Sequence, residues 1–132
     1  MTGPGPFDNP VGLNYLGEIS AFGPSESEAL ALLDANEPND LELSQEQYVL
    51  ATVISELAFP HNAPPAATAV ARYLAGADVP SLQRAAWACM DRLVKNPFAA
   101  LWRGHHDGGV QIRRQARALR GRLHRAIEPD AA

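Results

Sequence analysis

No lysine or arginine occurs in the first seventy-one residues of this 132-residue chain, while ten of its fifteen acids do: Asp8, Glu18, Glu26, Glu28, Asp34, Glu37, Asp40, Glu42, Glu46 and Glu56. Cysteine is nearly absent too. The single Cys89 excludes an internal disulfide framework. Its neighbours Ala85, Ala86, Ala88, Met90 and Leu93 give it an apolar mid-helix setting, without the cationic or helix-N-terminal environment that activates a thiolate. No uninterrupted apolar run approaches the length of a membrane-spanning helix. The opening Met-Thr-Gly-Pro-Gly-Pro lacks the basic and apolar regions of a signal peptide, and a soluble, cytoplasmic protein is the expectation. Beta-branched residues are sparse, and no stretch alternates cleanly in the way of a half-buried strand.

What is present is the composition of one globular helical domain. Apolar residues make up 46% and charged residues 20%, which places the chain outside the disordered class. Its length is enough to bury a core without covalent staples. Alanine and leucine, both good helix formers, dominate the apolar set. The excess of arginine over lysine, with Lys95 the only lysine, suggests a GC-rich bacterial source.

Segmentation predicts an all-α, single-domain bundle of six or seven short helices with an Arg-rich amphipathic C-terminal helix. Residues 1–8 form a flexible N-terminal segment, 9–128 the helical domain and 129–132 a flexible tail. Asn9-Pro10 opens a first helix, which Gly23-Pro24 ends. Ser25 and Glu28 make a capping box for a second helix that buries Leu30 and Leu33. A further capping box, Ser44 and Gln47, precedes the most apolar helix, with Val49, Leu50, Val53, Ile54, Leu57 and Ala58 on a broad face. A helix over 66–75 is expected to end at Gly76. The next runs from Asp78-Val-Pro80 to about Lys95, with Leu82, Ala86, Cys89, Met90 and Leu93 inward. Asn96-Pro97 caps a short segment carrying Phe98, Leu101 and Trp102, and a last helix covers about 110–127 with Asp107 as a possible cap.

That last helix carries the main functional signal. At 100° per residue, Ile112, Ala116, Leu119, Leu123, Ala126 and Ile127 fall on one side. Arg113, Arg117, Arg120 and His124 make one stripe, Arg114 and Arg125 a second, and Arg122 flanks the apolar face. No acid lies between Asp107 and Glu128. Arginines spaced i,i+3 and i,i+4 repel by a few tenths of a kcal/mol each (about 0.2–0.5), so a compensating charge is expected. Three sources fit: the acidic N-terminal half of the chain itself, an acidic protein partner or second copy, and nucleic-acid phosphate.

The expected partner-binding residues are Arg113, Arg114, Arg117, Arg120, Arg125 and Trp102, an exposed Trp102 beside Arg103 being a plausible anchor. The expected acidic surface is Glu26, Glu28, Asp34, Glu42 and Glu46, which displayed together would also mimic nucleic-acid phosphate. A nucleic-acid role is opposed by the net charge of −4, and no aromatics interleave the arginines as a single-strand platform requires.

Chemistry is harder to assemble from these residues. His105-His106-Asp107 lies among glycines, but consecutive residues rarely share one metal ion, and a structural zinc site takes four spaced ligands. Glu56 and His61 offer a carboxylate and an imidazole with no nucleophile or oxyanion donor beside them. Neither a phosphate-binding glycine loop nor a nucleophile elbow is present. The expectation is a protein without cofactor, metal or small-molecule substrate that works by binding another protein, as adaptor, inhibitor or immunity-type partner, with nucleic-acid binding as the alternative.

Overall fold

The computed structural model describes residues 14, 15, 17, 18, 21, 25–58, 74, 76–103 and 109–127. Among them there are helices and turns and no strand. Four helices have defined bounds: α1 Glu26–Asp34, α2 Leu41–Ala58, α3 Val79–Lys95 and α4 Val110–Ile127. Residues 14, 15, 17, 18 and 21 are also helical. The described residues are therefore all-α, as expected. Of the helix expected over 66–75 only Leu74 is among the described residues, and it is buried in a turn, while the segment after Asn96 is a run of turns instead of a helix.

Local chemistry accounts for the starts. Ser25 sits in extended conformation, its Oγ accepts the Glu28 N–H at 3.3 Å, and its hydroxyl donates to Glu28 Oε1 at 2.9 Å. Asp78 caps α3, accepting the Ser81 N–H at 3.2 Å and the Ser81 hydroxyl at 2.7 Å, with Pro80 in the first turn. These hydrogen bonds hold the Asp78 carboxyl below the usual carboxylate range.

One start differs from expectation. Helix α2 begins at Leu41, because Asp40 is its cap: Asp40 Oδ1 accepts the Leu43 N–H at 3.0 Å, and its carbonyl accepts the Ser44 N–H at 3.0 Å. Ser44 is thereby placed inside the helix, buried with its Oγ unpaired. Gln47, freed from a capping box, reaches across to the end of α1.

The core is continuous. Helices α3 and α4 pair most extensively, α2 packs on both, and α1 lies across α2 and α3 without touching α4. Val49, Leu50, Val53 and Ile54 of α2 meet Leu82, Ala86, Cys89, Met90 and Leu93 of α3 and Ile112, Ala116, Leu119 and Leu123 of α4, all buried. The expected inward face of α3 is thus observed, and that of α4 at Ile112, Ala116, Leu119 and Leu123, while Ala126 and Ile127 at its end are only half-buried. Burying one leucine-sized side chain contributes about 1.5–3 kcal/mol, and helix packing of this kind supplies most of the stability of short helices.

Helix ends are closed by side chains from elsewhere. At the end of α1, Gln47 Nε2 donates to the carbonyls of Leu32 (2.9 Å) and Ala35 (2.7 Å), and Arg92 donates to that of Leu33 (2.8 Å). These carbonyls have no intrahelical partner, and a cation there also opposes the negative end of the dipole. Burial beside this junction pushes the Cys89 thiol up to about 12, the Arg92 charge acting in the opposite sense. A cavity of about 30 Å³ next to Cys89 and Arg92 is of single-water scale.

Candidate interaction surface on α4

Helix α4 runs antiparallel to α3. Arg113 reaches Val94, Arg120 reaches Asp91, and the His124 ring lies 6.2 Å from that of Trp87. This pairing divides the arginines into two groups.

The first group is used by the fold. Arg113 donates through Nη2 to the Val94 carbonyl at 2.9 Å and lies over the Trp102 ring, 5.6 Å from its centroid. Its Nε is buried without a hydrogen-bond partner. Arg120 pairs with Asp91 at 3.0 Å, and Lys95 pairs with the same carboxylate at 2.9 Å. The Lys95 hydrogen bond leads in holding the Asp91 carboxyl below its ordinary range, with Arg120 adding to it.

The second group faces outward. Arg114, Arg117 and Arg125 are exposed and Arg122 is half-buried. None of the four has a hydrogen-bond or ion-pair partner among the described residues. Gly121 lies between them on the wheel, and the nearest atom to a Cβ built there is Arg125 Nη1 at 3.7 Å. No acid interrupts this face.

The acidic half does not neutralise it among the described residues. Both ion pairs there use Asp91, in the basic half, and α1 with Glu26, Glu28 and Asp34 makes no contact with α4. The acids have other surroundings. Glu26 Oε1 accepts the Asp78 N–H at 3.1 Å, tying α1 to the cap of α3. Glu28 serves the Ser25 cap. Asp34 and Glu42 are exposed. Glu46 is half-buried, and burial raises its carboxyl pKa, helped by the charges of Glu42, Glu18 and Asp40. Tyr15, packed against the core, has its phenol pushed above the normal range by burial and then by Glu46, Glu18 and Glu28. Of the five expected acids, Glu46 and Glu28 thus act on Tyr15 together with Glu18, while Glu42 acts on Glu46 together with Glu18 and Asp40. Glu26 and Asp34 stand apart from that group.

Trp102 is 2% exposed and belongs to the core, its Nε1 donating to the Asn96 carbonyl at 2.7 Å. An anchor there requires an exposed ring, so the expectation fails on burial. Phe98, expected beside it in a helix, is 76% exposed. The His105-His106-Asp107 turn, His61 and the Glu56 side chain lie outside the described residues. No group of three or more histidine, cysteine, aspartate or glutamate side chains suited to a metal ion exists among the described residues. Within the same residues, no helix is long and apolar enough to cross a membrane.

No protein-family model matches this chain, and neither a curated protein nor a solved structure gives a significant match.

Proposed function

We propose that the protein acts by binding an acidic protein partner on the outer face of α4, as an adaptor, inhibitor or immunity-type protein without catalysis of its own. The observation that carries this reading is the row of Arg114, Arg117 and Arg125, exposed and unpaired on a helix without acids. Their mutual repulsion is tolerated in the free protein by solvent and salt. A partner of opposite charge relieves it and gains association rate from steering. Arg113 and Arg120 support the surface by holding α4 on α3.

The same face fits a second reading, contact with nucleic-acid phosphates, since arginine is suited to bidentate phosphate binding. The net charge of −4 opposes it. A tagged pull-down from the native host, with and without nuclease, separates the two. The expected result is a stoichiometric protein that survives nuclease and is lost on reversing Arg114, Arg117 and Arg125 to glutamate. A signal that vanishes with nuclease, together with a log K versus log[salt] slope of roughly −3 to −4 on duplex DNA, selects the nucleic-acid reading.

A further inference from the structure

Helix α4 carries Arg114, Ala118 and Arg122 at i,i+4 spacing, so the three stand in one row with the small residue in the middle. The row covers about 12 Å of helix axis, short enough for both arginine arms to fold toward Ala118. On the side of this row that faces α2 the two helices do not close completely. A cleft of about 150 Å³ remains, lined by Tyr48 and Thr52 of α2 and by Gln115, Ala118, Leu119 and Arg122 of α4.

We infer that this cleft between α2 and α4 seats a carboxylate side chain of an acidic protein partner, held by Arg122 and Gln115. The inference rests on the proposed binding face and identifies where on it the specific contact is made.

Size selects the class of occupant. Pockets for nucleotide- or drug-sized ligands run to about 300–1,000 Å³, and this cleft is well below that range. It suits one side chain entering from outside. A duplex backbone presents a repeating, convex row of phosphates, which matches the open outer face better than a narrow recess.

Hydrogen-bonding capacity selects the charge. Arg122 has five N–H donors and no acceptor, and Gln115 adds an amide NH₂. Both lack partners among the described residues. Thr52 spends its hydroxyl proton on the Tyr48 carbonyl at 2.8 Å, which leaves it as an acceptor only. Among the side chains of Arg122, Gln115 and Thr52, donors therefore exceed acceptors even with the Gln115 amide oxygen counted, and an arginine–carboxylate pair is met by two parallel charge-assisted bonds. Arg122 is half-buried whereas Arg114, Arg117 and Arg125 are exposed. Less of its interaction is lost to solvent than that of a rim charge, and its truncation acts on dissociation more than on encounter.

The test uses the full-length protein and a fluorescein-labelled oligoglutamate peptide, with anisotropy read at low salt and a duplex oligonucleotide as competitor. Ala118→Leu fills the mouth of the cleft without changing charge or helix propensity appreciably. Arg122→Gln removes the cation, and Arg117→Gln removes a charge on the same helix away from the cleft. Far-ultraviolet dichroism confirms that each variant is folded. The expected result is peptide binding by the wild type, about tenfold weaker in both Ala118→Leu and Arg122→Gln, and weakened by no more than about threefold in Arg117→Gln. Wild-type affinity in Ala118→Leu with a loss in Arg117→Gln overturns the cleft and leaves the binding face standing. Failure of the wild type to bind peptide overturns both. Displacement of peptide by the duplex, insensitive to Ala118→Leu, assigns the face to phosphate and overturns the carboxylate site.

Discussion

The Arg113 guanidinium lies 5.6 Å from the centroid of the Trp102 ring and donates to the Val94 carbonyl at 2.9 Å. One cation thus closes the end of α3 and joins it to the turns that follow and to the start of α4. In sequence Arg113 shares a stripe with Arg117, yet one stabilises the fold and the other faces water. Arg113→Ala is expected to cost about 1.5–3 kcal/mol, the range for a hydrogen bond to a charged group together with a cation–π contact. Arg117→Ala is expected to stay within about 0.5 kcal/mol of the wild type. Urea unfolding of the two variants side by side measures the contrast, and equal losses would remove the division of the arginines into two groups.

Gly109 approaches the same tryptophan. Its φ is +85°, and a Cβ built there falls 2.7 Å from the Trp102 carbonyl oxygen and 2.8 Å from its Cβ. An L side chain is strained in that backbone region and has no room to relax against backbone atoms. Gly109→Ala should lower stability by about 2 kcal/mol, readable as a lower thermal midpoint. An unchanged midpoint would mean that the α4 entry is not held against Trp102.

Asp91 and Glu46 respond to pH in opposite senses. The Asp91 side chain is 17% exposed, and its pKa is lowered by Lys95 and Arg120. The stability it contributes is present above its unfolded pKa and is lost as pH falls through the folded one. Asp91→Asn should therefore cost about 0.5–1 kcal/mol near pH 7, a deficit that shrinks as pH falls below the ordinary aspartate pKa of about 3.9. Glu46 has a raised pKa. Its ionised form is the less favourable one in the fold, an effect fully present above the folded pKa and absent below the unfolded one. Glu46→Gln should stabilise the protein near pH 7 and lose that advantage in acid. Denaturant titrations at the two pH values decide both, and a gain on Asp91→Asn at neutral pH would contradict the ion-pair geometry.

Cys89 is fully buried and its thiol is pushed up to about 12. The native protein should resist iodoacetamide near pH 8 and react on a timescale set by unfolding, since the thiolate is the nucleophile. Labelling with and without urea, followed by intact mass, provides the measurement. Rapid modification without urea would place the thiol at the surface.

Expectations from sequence and the observed fold part company at particular residues. The Ser25–Glu28 box and the Asp78-Val-Pro80 start depend on neighbours three positions apart, and both formed as read. Ser44 and Gln47 fit the same pattern, but Asp40 caps the helix one turn earlier. Two caps of comparable strength stood four residues apart, and the reach of Gln47 to the end of α1 depends on packing that local sequence does not encode. Trp102 read from sequence as a core or rim residue, and as an anchor only if exposed; the fit of its ring beneath Arg113 and its bond to Asn96 place it inside. The α2–α4 cleft left one trace in the sequence: Ala118, a small residue in a row of arginines, with Arg122 on the flank of the apolar face.

By itself, the sequence determined the all-α class, the inward faces of α3 and α4, and the confinement of positive charge to the second half of the chain. All three depend on helical periodicity or simple counting, which operate within a few residues of chain. Tertiary structure alone decided which arginines are spent on the fold, which acids gather around Tyr15, and that α1 is held away from α4. These relationships join residues up to sixty-four positions apart, as in the Arg103–Asn39 hydrogen bond. They are set by how amphipathic helices share one core, and the unpaired outer face of α4 is what that packing leaves available for a partner.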